Sequence, residues 1–268
     1  MDERLFKLQN GLKYVLKLFH EYCEKQNLKY YLAYGSLLGA IRHHDIIPWD
    51  DDMDIYMFRD EYNKLRDLWK KESPKELYLQ SFDDVRDVYF TYAKIRLNGT
   101  TYNENTTKNR NMHKGIFIDL FILDYLPNNL NERAVLYKKM NRINKMTYYK
   151  GTYETTKKIK FIFTKLYSYS YLRKKRDLYI SKIKDRAYVG YIGSFSNFLR
   201  NVFKVEAFKE CMLFDFGKYQ FFIPNGYEEI LKKLYDNYME LPPVEKRINP
   251  HVVDIDFGIY DKLFESNK

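Results

Sequence analysis

Cysteine is scarce in this chain of 268 residues, which has only Cys23 and Cys211. The two stand far apart, and neither belongs to a CxxC pair. Two isolated cysteines exclude a cysteine-ligated zinc site and a framework of disulfide bonds, and they are typical of proteins from a reducing compartment. We therefore expect a cytoplasmic protein.

Long apolar stretches are missing as well. No segment approaches the roughly 20 apolar residues that a membrane-spanning helix needs. Charged residues interrupt the N-terminal segment MDERLFKLQNGLKYVLKLFHEYCEK, which is unlike a signal peptide. Its apolar residues recur at helical spacing and predict an N-terminal helix. With 45% hydrophobic and 31% charged residues, the composition is that of a globular protein with a sizeable core.

The short motifs of several common enzyme classes do not occur. GxxxxGK[ST], GxGxxG, HExxH and GxSxG are all missing. Their absence argues against P-loop, dinucleotide-binding, zinc-protease and serine-hydrolase chemistry. The histidines, among them His43, His44, His113 and His251, have no spacing that is typical of a metal site.

The sequence does contain a dense acidic run beside apolar residues. Four aspartates fall within five residues: Asp50, Asp51, Asp52 and Asp54. The alternation of polar and apolar residues in DMDIYMF predicts a half-buried strand. Residues i and i+2 of a strand face the same way, roughly 6.6–7 Å apart. Asp52 and Asp54 can therefore converge on one cation, and Asp50 joins them if the strand starts early.

Carboxylates at this spacing suit Mg²⁺ or Mn²⁺, which bind a few carboxylates together with the phosphates of a substrate. One alternative is a solvated acidic turn. Another is an EF-hand calcium loop, because Asp50, Asp52, Asp54 and Glu61 match its positions 1, 3, 5 and 12. Position 6 requires a glycine and is Ile55 here, so we set the EF-hand aside.

Gly35 and Ser36 lie between a predicted strand, KYYLAY, and a predicted helix, SLLGAIRHH. A glycine at the start of a helix lets a phosphate approach the unpaired backbone N–H groups and the positive end of the helix dipole. The alternative is that Ser36 only caps the helix. The order of a Gly-Ser pair followed by Asp-x-Asp in a strand favours a phosphate site next to a metal site.

Asp119 is the only charged residue of the apolar run GIFIDLFIL. A buried aspartate without a partner is costly. We therefore expect Asp119 to be a third metal ligand or a general base that takes the proton of a substrate hydroxyl. The alternative is a structural, hydrogen-bonded aspartate. Asp124 is a weaker candidate, because DYLPNN looks like a loop. Lys94, Arg96 and Arg42 are candidates to neutralise phosphates, and exposed surface cations are the alternative for all of them.

Positive charge is concentrated in one region. Between Arg133 and Arg186 there are 17 Lys and Arg residues against 3 Asp and Glu, whereas the formal net charge of the whole chain is +10. This basic region is compatible with a solvated helical face, with peripheral contact to an anionic membrane, or with nucleic-acid binding. We expect no nucleic-acid partner, and we retain peripheral contact at the inner membrane face as the alternative to a solvated face.

The pattern of predicted elements indicates the fold class. Strands are predicted at KYYLAY, DMDIYMF, ELYLQS, VYFTYAKIRL and GIFIDLFIL, and a hairpin at DFGKYQFFIPNGY. Helices are predicted at SLLGAIRHH, RDEYNKLRDLWKKE, NERAVLYKKMNRINKM, residues 155–186 and EEILKKLYDNYMEL. We predict an α/β or α+β fold with a mixed sheet flanked by helices. Residues 1–130 form the catalytic core, and residues 131–268 form a mainly helical, basic extension that packs on it with the late hairpin.

Several of these stretches together resemble the LicD family of phosphocholine transferases, which is related to fukutin and the fukutin-related protein. The resemblance lies in YGSLLGAIRHHDIIPWDDDMDIYM, YAKIRLNGTTYNE, GIFIDLFILDYLP and DFGKYQFFIPNGYEEILKKLYDNYMELPPVEKR. It covers about the first 127 residues and roughly residues 214–250. It implies a nucleotidyltransferase-like core in which Gly35 and Ser36 form the Gly-Ser pair, Asp52 and Asp54 the Asp-x-Asp pair, and Asp119 the third carboxylate.

The resemblance also implies an activity. The expected reaction transfers phosphocholine from CDP-choline to a hydroxyl of a glycan or lipid-linked oligosaccharide acceptor, such as a precursor of lipopolysaccharide, teichoic acid or capsule, and releases CMP. Relatives also transfer ribitol phosphate or glycerol phosphate, so another CDP-alcohol is the alternative donor. A non-catalytic calcium-binding module is the alternative from a different class. Some eukaryotic relatives have a cysteine zinc site, for which this chain lacks the cysteines.

Overall fold

The computed structural model describes residues 3–84, 88, 90–104, 111–151, 164, 166–193, 198–247 and 252–265. The α-helices within these ranges are α1 (Glu3–Lys25), α2 (Tyr34–His43), α3 (Arg59–Lys71), α4 (Leu130–Gly151), α5 (Tyr169–Ile180), α6 (Tyr227–Tyr235) and α7 (Asp261–Glu265). In the part of the chain that the structure describes, none of them combines the length and the apolar character that crossing a bilayer requires.

The strands are given for the same described ranges. They are β1 (Tyr31–Leu32), β2 (Asp54–Phe58), β3 (Leu77–Ser81), β4 (Ala93–Leu97), β5 (Thr101–Glu104), β6 (Phe117–Leu126), β7 (Tyr188–Tyr191), β8 (Val202–Lys204), β9 (Cys211–Phe216), β10 (Tyr219–Pro224) and β11 (Val252–Asp256).

A curled mixed sheet of seven strands forms the centre of the molecule. Its order is β1-β2-β6-β4-β3, and β7 and β8 extend it beside the second half of β6. β2 runs parallel to β6, whereas β4 and β7 run antiparallel to it. α1, α2 and α3 pack on the strands. The predicted class of a mixed sheet flanked by helices is confirmed.

The central strand β6 has a nearly continuous apolar sequence because it has little contact with water. Ile118, Leu120 and Leu123 are fully buried, and so is Ile116 just before the strand. Strands that are covered on both faces lose the alternation of polar and apolar residues and become apolar runs. A charged residue within such a strand must therefore find its partners inside the protein.

In the described part of the chain, two small antiparallel sheets lie outside the central one. β9 and β10 form the hairpin that the sequence predicts, with Gly217 at a positive φ of 58° in its turn. This hairpin contacts β1 and α1. β11 pairs with β5, so a strand near the C-terminus joins the first half of the chain.

The described residues form two clusters of buried apolar side chains. The larger cluster lies between the central sheet, α1, α2, α3 and the hairpin. The smaller cluster lies beneath α4 and α5 and contains Leu136, Met140 and Leu172 together with Phe82 and Val202. α4 and α5, which follow residue 130, thus lie over an apolar cluster of their own. The domain boundary proposed near residue 130 stays a prediction.

Some predicted elements differ from those in the structure. The strand predicted at VYFTYAKIRL begins only at Ala93. The helix predicted to reach Pro242 ends at Tyr235, because the next residue, Asp236, has a positive φ of 53°. In the region predicted as helical over residues 155–186, α5 covers Tyr169–Ile180, and residues 155–163 and 165 lie outside the described ranges.

Candidate active site

Two aspartates and a lysine form a row across three neighbouring strands. Asp54 of β2 is paired with Asp119 of β6 in the parallel ladder, and Lys94 of β4 is paired with Asp119 on the other side. Paired residues of neighbouring strands project from the same face of a sheet. The Lys94 side chain is 2% exposed, and its Nζ lies 3.0 Å from Asp119 Oδ1. The structure thus brings three of the predicted site residues together.

A second group of carboxylates lies in the loop before β2. Asp50, Asp51 and Asp52 each have a carboxylate oxygen within 4.8 Å of those of the other two. Asp51 is buried, and Asp50 and Asp52 are half-buried. The hydroxyl of Tyr102 on β5 donates a hydrogen bond of 3.4 Å to Asp51 Oδ2. Three carboxylate oxygens this close could hold a metal ion, for which hard oxygen ligands are suited.

Helices α1 and α2 hold the loop that carries this group. Gln9 of α1 is buried, and its Nε2 donates a hydrogen bond of 2.8 Å to the carbonyl oxygen of Asp50. A Cβ atom on Gly35 would lie 2.8 Å from Asp50 Oδ2, and one on Gly39 would lie 2.6 Å from the carbonyl oxygen of Asp45. The two glycines are one turn apart on α2 and allow the loop to pack directly against the helix.

Gly35 and Ser36 lie in the first turn of α2. The helix begins at Tyr34 and its N-cap residue is Ala33, so the alternative interpretation, in which Ser36 only caps the helix, is wrong. The buried hydroxyl of Ser36 instead accepts a hydrogen bond of 2.8 Å from the backbone N–H of Asp54. This bond fixes the first turn of α2 beside the first residue of β2, next to the row of charged residues.

Tyr34, immediately before the Gly-Ser pair, has a positive φ of 42°. This conformation is unfavourable for a bulky residue, so the surrounding contacts must hold it in place. Its ring lies 5.0 Å from that of Tyr56 and 5.1 Å from that of Phe121, between centroids. Its hydroxyl donates a hydrogen bond of 2.9 Å to Asn201 Oδ1. Aromatic packing therefore sets the backbone direction at Gly35.

Burial and the crowding of negative charges raise the pKa values of two carboxylates, Asp50 and Asp54. Burial, and then the negative charges of Asp52 and Asp51, raise the pKa of Asp50 to about 8. Burial, and then the charges of Asp52, Asp119 and Asp50, raise the pKa of Asp54 well above its usual value, although Lys94 opposes the shift. A bound cation would favour the ionised carboxylates. The donor set is therefore suited to a divalent cation.

The predicted metal ligands come from both groups. Asp52 belongs to the loop group, and Asp54 and Asp119 belong to the strand row. In the described ranges, the metal-ligating group whose oxygens all lie within 4.8 Å of one another is Asp50, Asp51 and Asp52. The assignment of Asp52, Asp54 and Asp119 as ligands stays a prediction.

Arg96 is buried, so the alternative of an exposed surface cation is wrong for this residue, and its predicted contact with phosphate stays a prediction. The residue is 1% exposed, and its guanidinium donates hydrogen bonds of 2.6 Å to Gln80 Oε1 and 2.9 Å to the carbonyl oxygen of Gly115. The ring centroid of Phe117 lies 4.6 Å from its Cζ atom. These contacts join β4 to β3 and to the start of β6, so Arg96 supports the strands that carry the site.

Arg42 holds the segment that follows α6. Its Nη1 donates hydrogen bonds of 2.9 Å and 3.1 Å to the carbonyl oxygens of Tyr238 and Glu240. Burial lowers the pKa of Arg42, although a guanidinium stays charged at neutral pH. The segment after α6 is therefore fixed against the C-terminal end of α2, and Tyr235 is brought toward the acidic residues.

Tyr235, the last residue of α6, is a site residue that its sequence context does not reveal. Burial, and then the negative charges of Asp54, Asp50 and Asp52, raise its pKa, although 39% of the residue is exposed to solvent. The stretch EEILKKLY, which ends at Tyr235, has only the pattern of an amphipathic helix and gives no chemical signal for this position. Its role depends on the packing of α6 against α2.

Trp49 directly precedes the acidic group. The Cζ atom of Arg247 lies 5.3 Å from the centre of its ring, and the ring of His43 lies 5.8 Å away at an interplanar angle of 87°. The guanidinium of Arg247 thus lies within cation–π distance of the indole. Trp49 packs the loop against its neighbours in this structure.

Asp124 is not in a loop, and that prediction is wrong. It lies within β6, is completely buried, and accepts hydrogen bonds of 2.8 Å from both Nε and Nη2 of Arg59. Arg59 is the first residue of α3, immediately after the end of β2. The pair lies at the opposite end of β2 from Asp54, so Asp124 is a structural carboxylate outside the site.

Comparison with known proteins places this geometry in context. Residues 27–167 match the family described as LicD/FKTN/FKRP, nucleotidyltransferase domain. The chain is 31% identical over 250 residues to the lipopolysaccharide cholinephosphotransferase LicD of Haemophilus influenzae, across 89% of this chain and 92% of that protein. Human and mouse ribitol 5-phosphate transferase FKRP are 44% identical over 45 residues, across 17% of this chain and 9% of theirs. The family match includes the Gly-Ser pair, the acidic loop and the strand row.

Proposed function

The chain belongs to the LicD/FKTN/FKRP nucleotidyltransferase family, and from this premise we propose that it transfers phosphocholine from CDP-choline to a hydroxyl of a cell-surface glycan precursor. A hydroxyl oxygen of the acceptor attacks the phosphorus of phosphocholine. The bond from that phosphorus to the oxygen of CMP breaks, and the hydroxyl proton passes to a carboxylate. The products are the phosphocholine-substituted glycan and CMP.

The observation that carries this proposal is the pairing of Asp54 with Asp119 on parallel strands, beside the first turn of α2. It provides carboxylates from separate strands next to backbone N–H groups at a helix N-terminus. The carboxylates suit a cation, and the N–H groups suit the phosphates of the donor. A transferase acting on a diphosphate donor needs both kinds of group at one place.

In this proposal Asp52, Asp54 and Asp119 hold a divalent cation, Mg²⁺ or Mn²⁺. When bound, the cation supplies positive charge at the phosphate oxygens of the donor. Gly35 permits close approach of a phosphate to the start of α2, and Ser36 has a hydroxyl hydrogen to donate while its oxygen accepts from Asp54. Lys94 contributes positive charge beside Asp119.

Two carboxylates are candidates for the base that accepts the hydroxyl proton. Asp119 lies in the strand row, and Asp50 lies in the loop against Gly35. A general base works best when its pKa is near the operating pH. Burial and the neighbouring acids raise the pKa of Asp50, whereas a bound cation would lower it, and both effects together set the basicity of this carboxylate.

The name of the Haemophilus influenzae relative supports choline as the donor alcohol and a lipopolysaccharide precursor as the acceptor. The names of the FKRP relatives support ribitol phosphate as the alternative. We also propose a cytoplasmic location with peripheral contact at the inner membrane face. Both cysteines are free thiols, which a reducing compartment favours.

The proposal is tested with a panel of CDP-alcohols. The full chain is incubated with CDP-choline, CDP-ribitol or CDP-glycerol, an acceptor glycan and Mg²⁺, and the release of CMP is measured. We expect release that depends on the metal and is fastest with CDP-choline. Asp54→Asn should reduce it by about two orders of magnitude or more, because a ligand carboxylate is lost.

Asp67→Asn is the matched control, because it makes the same chemical change at an exposed position of α3. It should retain full activity. A calcium-binding module would instead bind Ca²⁺ without any CDP-alcohol and release no CMP. No CMP release from any donor by the folded wild-type chain would overturn the transferase assignment, and equal rates with all donors would overturn the choline assignment.

A further inference from the structure

A basic pocket lies between α3 and α5, away from the row of Asp54, Lys94 and Asp119. Its volume is about 390 Å³, and it is lined by Arg59 at the start of α3 and by residues of α5. Asp54 is the first residue of β2 and Arg59 follows the last one. At the rise of an extended strand, this separates the pocket from the carboxylate row by roughly 16 Å. A donor phosphate held at the carboxylate row does not fill this pocket.

Cations outnumber carboxylates in the lining of the pocket. The five lining cations are Arg59, Arg66, Arg173, Lys174 and Arg176. The lining carboxylates are Asp83 and Asp177. Burial opposes ionisation of Asp83, but the charges of Arg176 and Arg59 outweigh it and lower its pKa. Asp84 and Asp124 pair with two of these arginines from outside the lining. Among the described residues, five cations therefore face four carboxylates, and one positive charge remains in excess when all of these acids are ionised.

The arginines are held in place by the protein on one side. Arg176 is 6% exposed, and its Nη2 donates hydrogen bonds of 2.6 Å to Asp83 Oδ1 and 2.8 Å to Asp177 Oδ1. Nη1 of Arg173 donates to the carbonyl oxygens of Phe82 and Asp83 at 2.6 Å and 3.1 Å. A guanidinium has five N–H donors. Within the described residues, these bonds use only part of that capacity, and they fix the orientation of both side chains.

Bidentate pairing fixes two more of the cations. Nε and Nη2 of Arg66 bond to Asp84 at 2.7 Å and 2.6 Å, and Nε and Nη2 of Arg59 bond to the buried Asp124 at 2.8 Å. Preorganised guanidinium groups lose little side-chain entropy when they bind an anion. The four arginines of the pocket are therefore a rigid arrangement of donors, to which the exposed Lys174 adds a fifth positive charge.

We propose that this pocket between α3 and α5 binds a phosphate or diphosphate group of a ligand. Guanidinium groups recognise phosphate through several N–H···O bonds at once. A phosphate carries more charge and more acceptor oxygens than a carboxylate, so it makes better use of donors from two helices. The hydroxyls of Ser170 and Ser181 also line the pocket. The proposal does not depend on the transferase activity.

The test uses the full chain with pyrophosphate as the probe, and with inorganic phosphate as a second probe, in isothermal titration. We expect saturable binding of pyrophosphate. Lys174→Glu reverses one lining charge, and Arg173→Gln removes one guanidinium. Each should weaken binding roughly tenfold or more. If Arg173→Gln does not fold, as judged by circular dichroism, Lys174→Glu alone decides the result.

Lys175→Glu is the matched control. It makes the same change in charge at the next residue of α5, where Lys175 contacts Tyr171 and does not line the pocket. This variant should bind pyrophosphate within about twofold of the wild type. Equal weakening by Lys174→Glu and Lys175→Glu would show general attraction to a basic surface and would overturn the proposal. Absence of pyrophosphate binding at millimolar concentration would also overturn it.

Vesicles distinguish the source of the phosphate. Flotation is performed with phosphatidylglycerol vesicles, with phosphatidylcholine vesicles as the comparison, in the presence and absence of pyrophosphate. Flotation that pyrophosphate abolishes and Lys174→Glu weakens would support a lipid headgroup as the ligand. Pyrophosphate binding without flotation would support a free phosphorylated ligand. Either result supports a phosphate-specific pocket.

Discussion

Loss of the Asp124 carboxylate should destabilise the protein strongly. Asp124 is completely buried, and it accepts two hydrogen bonds of 2.8 Å from Arg59, whose side chain is 17% exposed. Asp124→Asn keeps the shape of the side chain but removes its charge. Arg59 then lacks its main counterion, and Asp83, at 4.0 Å, is the remaining carboxylate within ion-pair distance in the described ranges.

The size of the effect follows from the burial of the pair. Removal of one partner of a buried ion pair costs about 3–5 kcal/mol, because the other charge stays buried without compensation. The partial exposure of Arg59 and the nearby Asp83 place the expected loss at the lower end, about 3 kcal/mol. With an m-value of about 3 kcal/mol per molar urea, the midpoint of unfolding should fall by roughly 1 M.

Urea denaturation followed by circular dichroism measures this loss, and an exposed ion pair provides the control. Lys25 and Glu72 lie 2.7 Å apart, with side chains 64% and 66% exposed. Glu72→Gln should therefore cost less than about 1 kcal/mol. Replacement of both Asp124 and Arg59 by Leu and Met should recover much of the lost stability. If Asp124→Asn and Glu72→Gln cost the same, the argument from burial is refuted.

Three further predictions concern the candidate active site. Gly35→Ala places a Cβ atom 2.8 Å from Asp50 Oδ2, which should push the acidic loop away from α2. We expect a folded protein that binds Mg²⁺ more weakly in titration calorimetry. Unchanged affinity would contradict the role of Gly35 in holding this loop against the helix. Because burial and its acidic neighbours raise the pKa of Asp50 to about 8, cation binding at neutral pH should release protons, and the apparent affinity should rise with pH up to about pH 8. Calorimetry in buffers of different ionisation enthalpy measures this release, and a pH-independent affinity would refute it. Lys94→Met removes the cation beside Asp119. It should reduce the rate of CMP release, while the affinity for the metal rises or stays the same. A fall in metal affinity would contradict the assignment of Lys94 as a positive charge for the donor phosphates.

The local parts of the site could be predicted from the sequence. A Gly-Ser pair between a strand and a helix, and an alternating acidic strand, are patterns within a few neighbouring residues. Asp119 could be identified because it is the only charged residue of the apolar run GIFIDLFIL. Local pattern alone does not give the register between β2 and β6, on which the pairing of Asp54 with Asp119 depends. That register follows from the packing of the whole sheet.

The features that local pattern did not reveal depend on partners that are distant in the sequence. Asp124 seemed to be in a loop, but Arg59 neutralises it inside the sheet. Arg96 had the sequence of a strand cation, but its acceptors come from two other segments. Tyr235 reaches the acidic residues only because α6 packs against α2. A short window of sequence cannot indicate such contacts.

The parallel pairing of β2 and β6 also affects how the protein must fold. The chain between these strands contains α3, β3, β4 and β5, and parallel strands can pair only after such a crossover is complete. A nascent chain that has emerged only as far as β2 carries clustered acids without Lys94 or Asp119. Non-local pairings of this kind form slowly, because the entropy of a long loop is lost before the contacts are gained. The catalytic arrangement should therefore appear together with the closed sheet, late in biosynthesis, and a shorter translation product should have none of its activity.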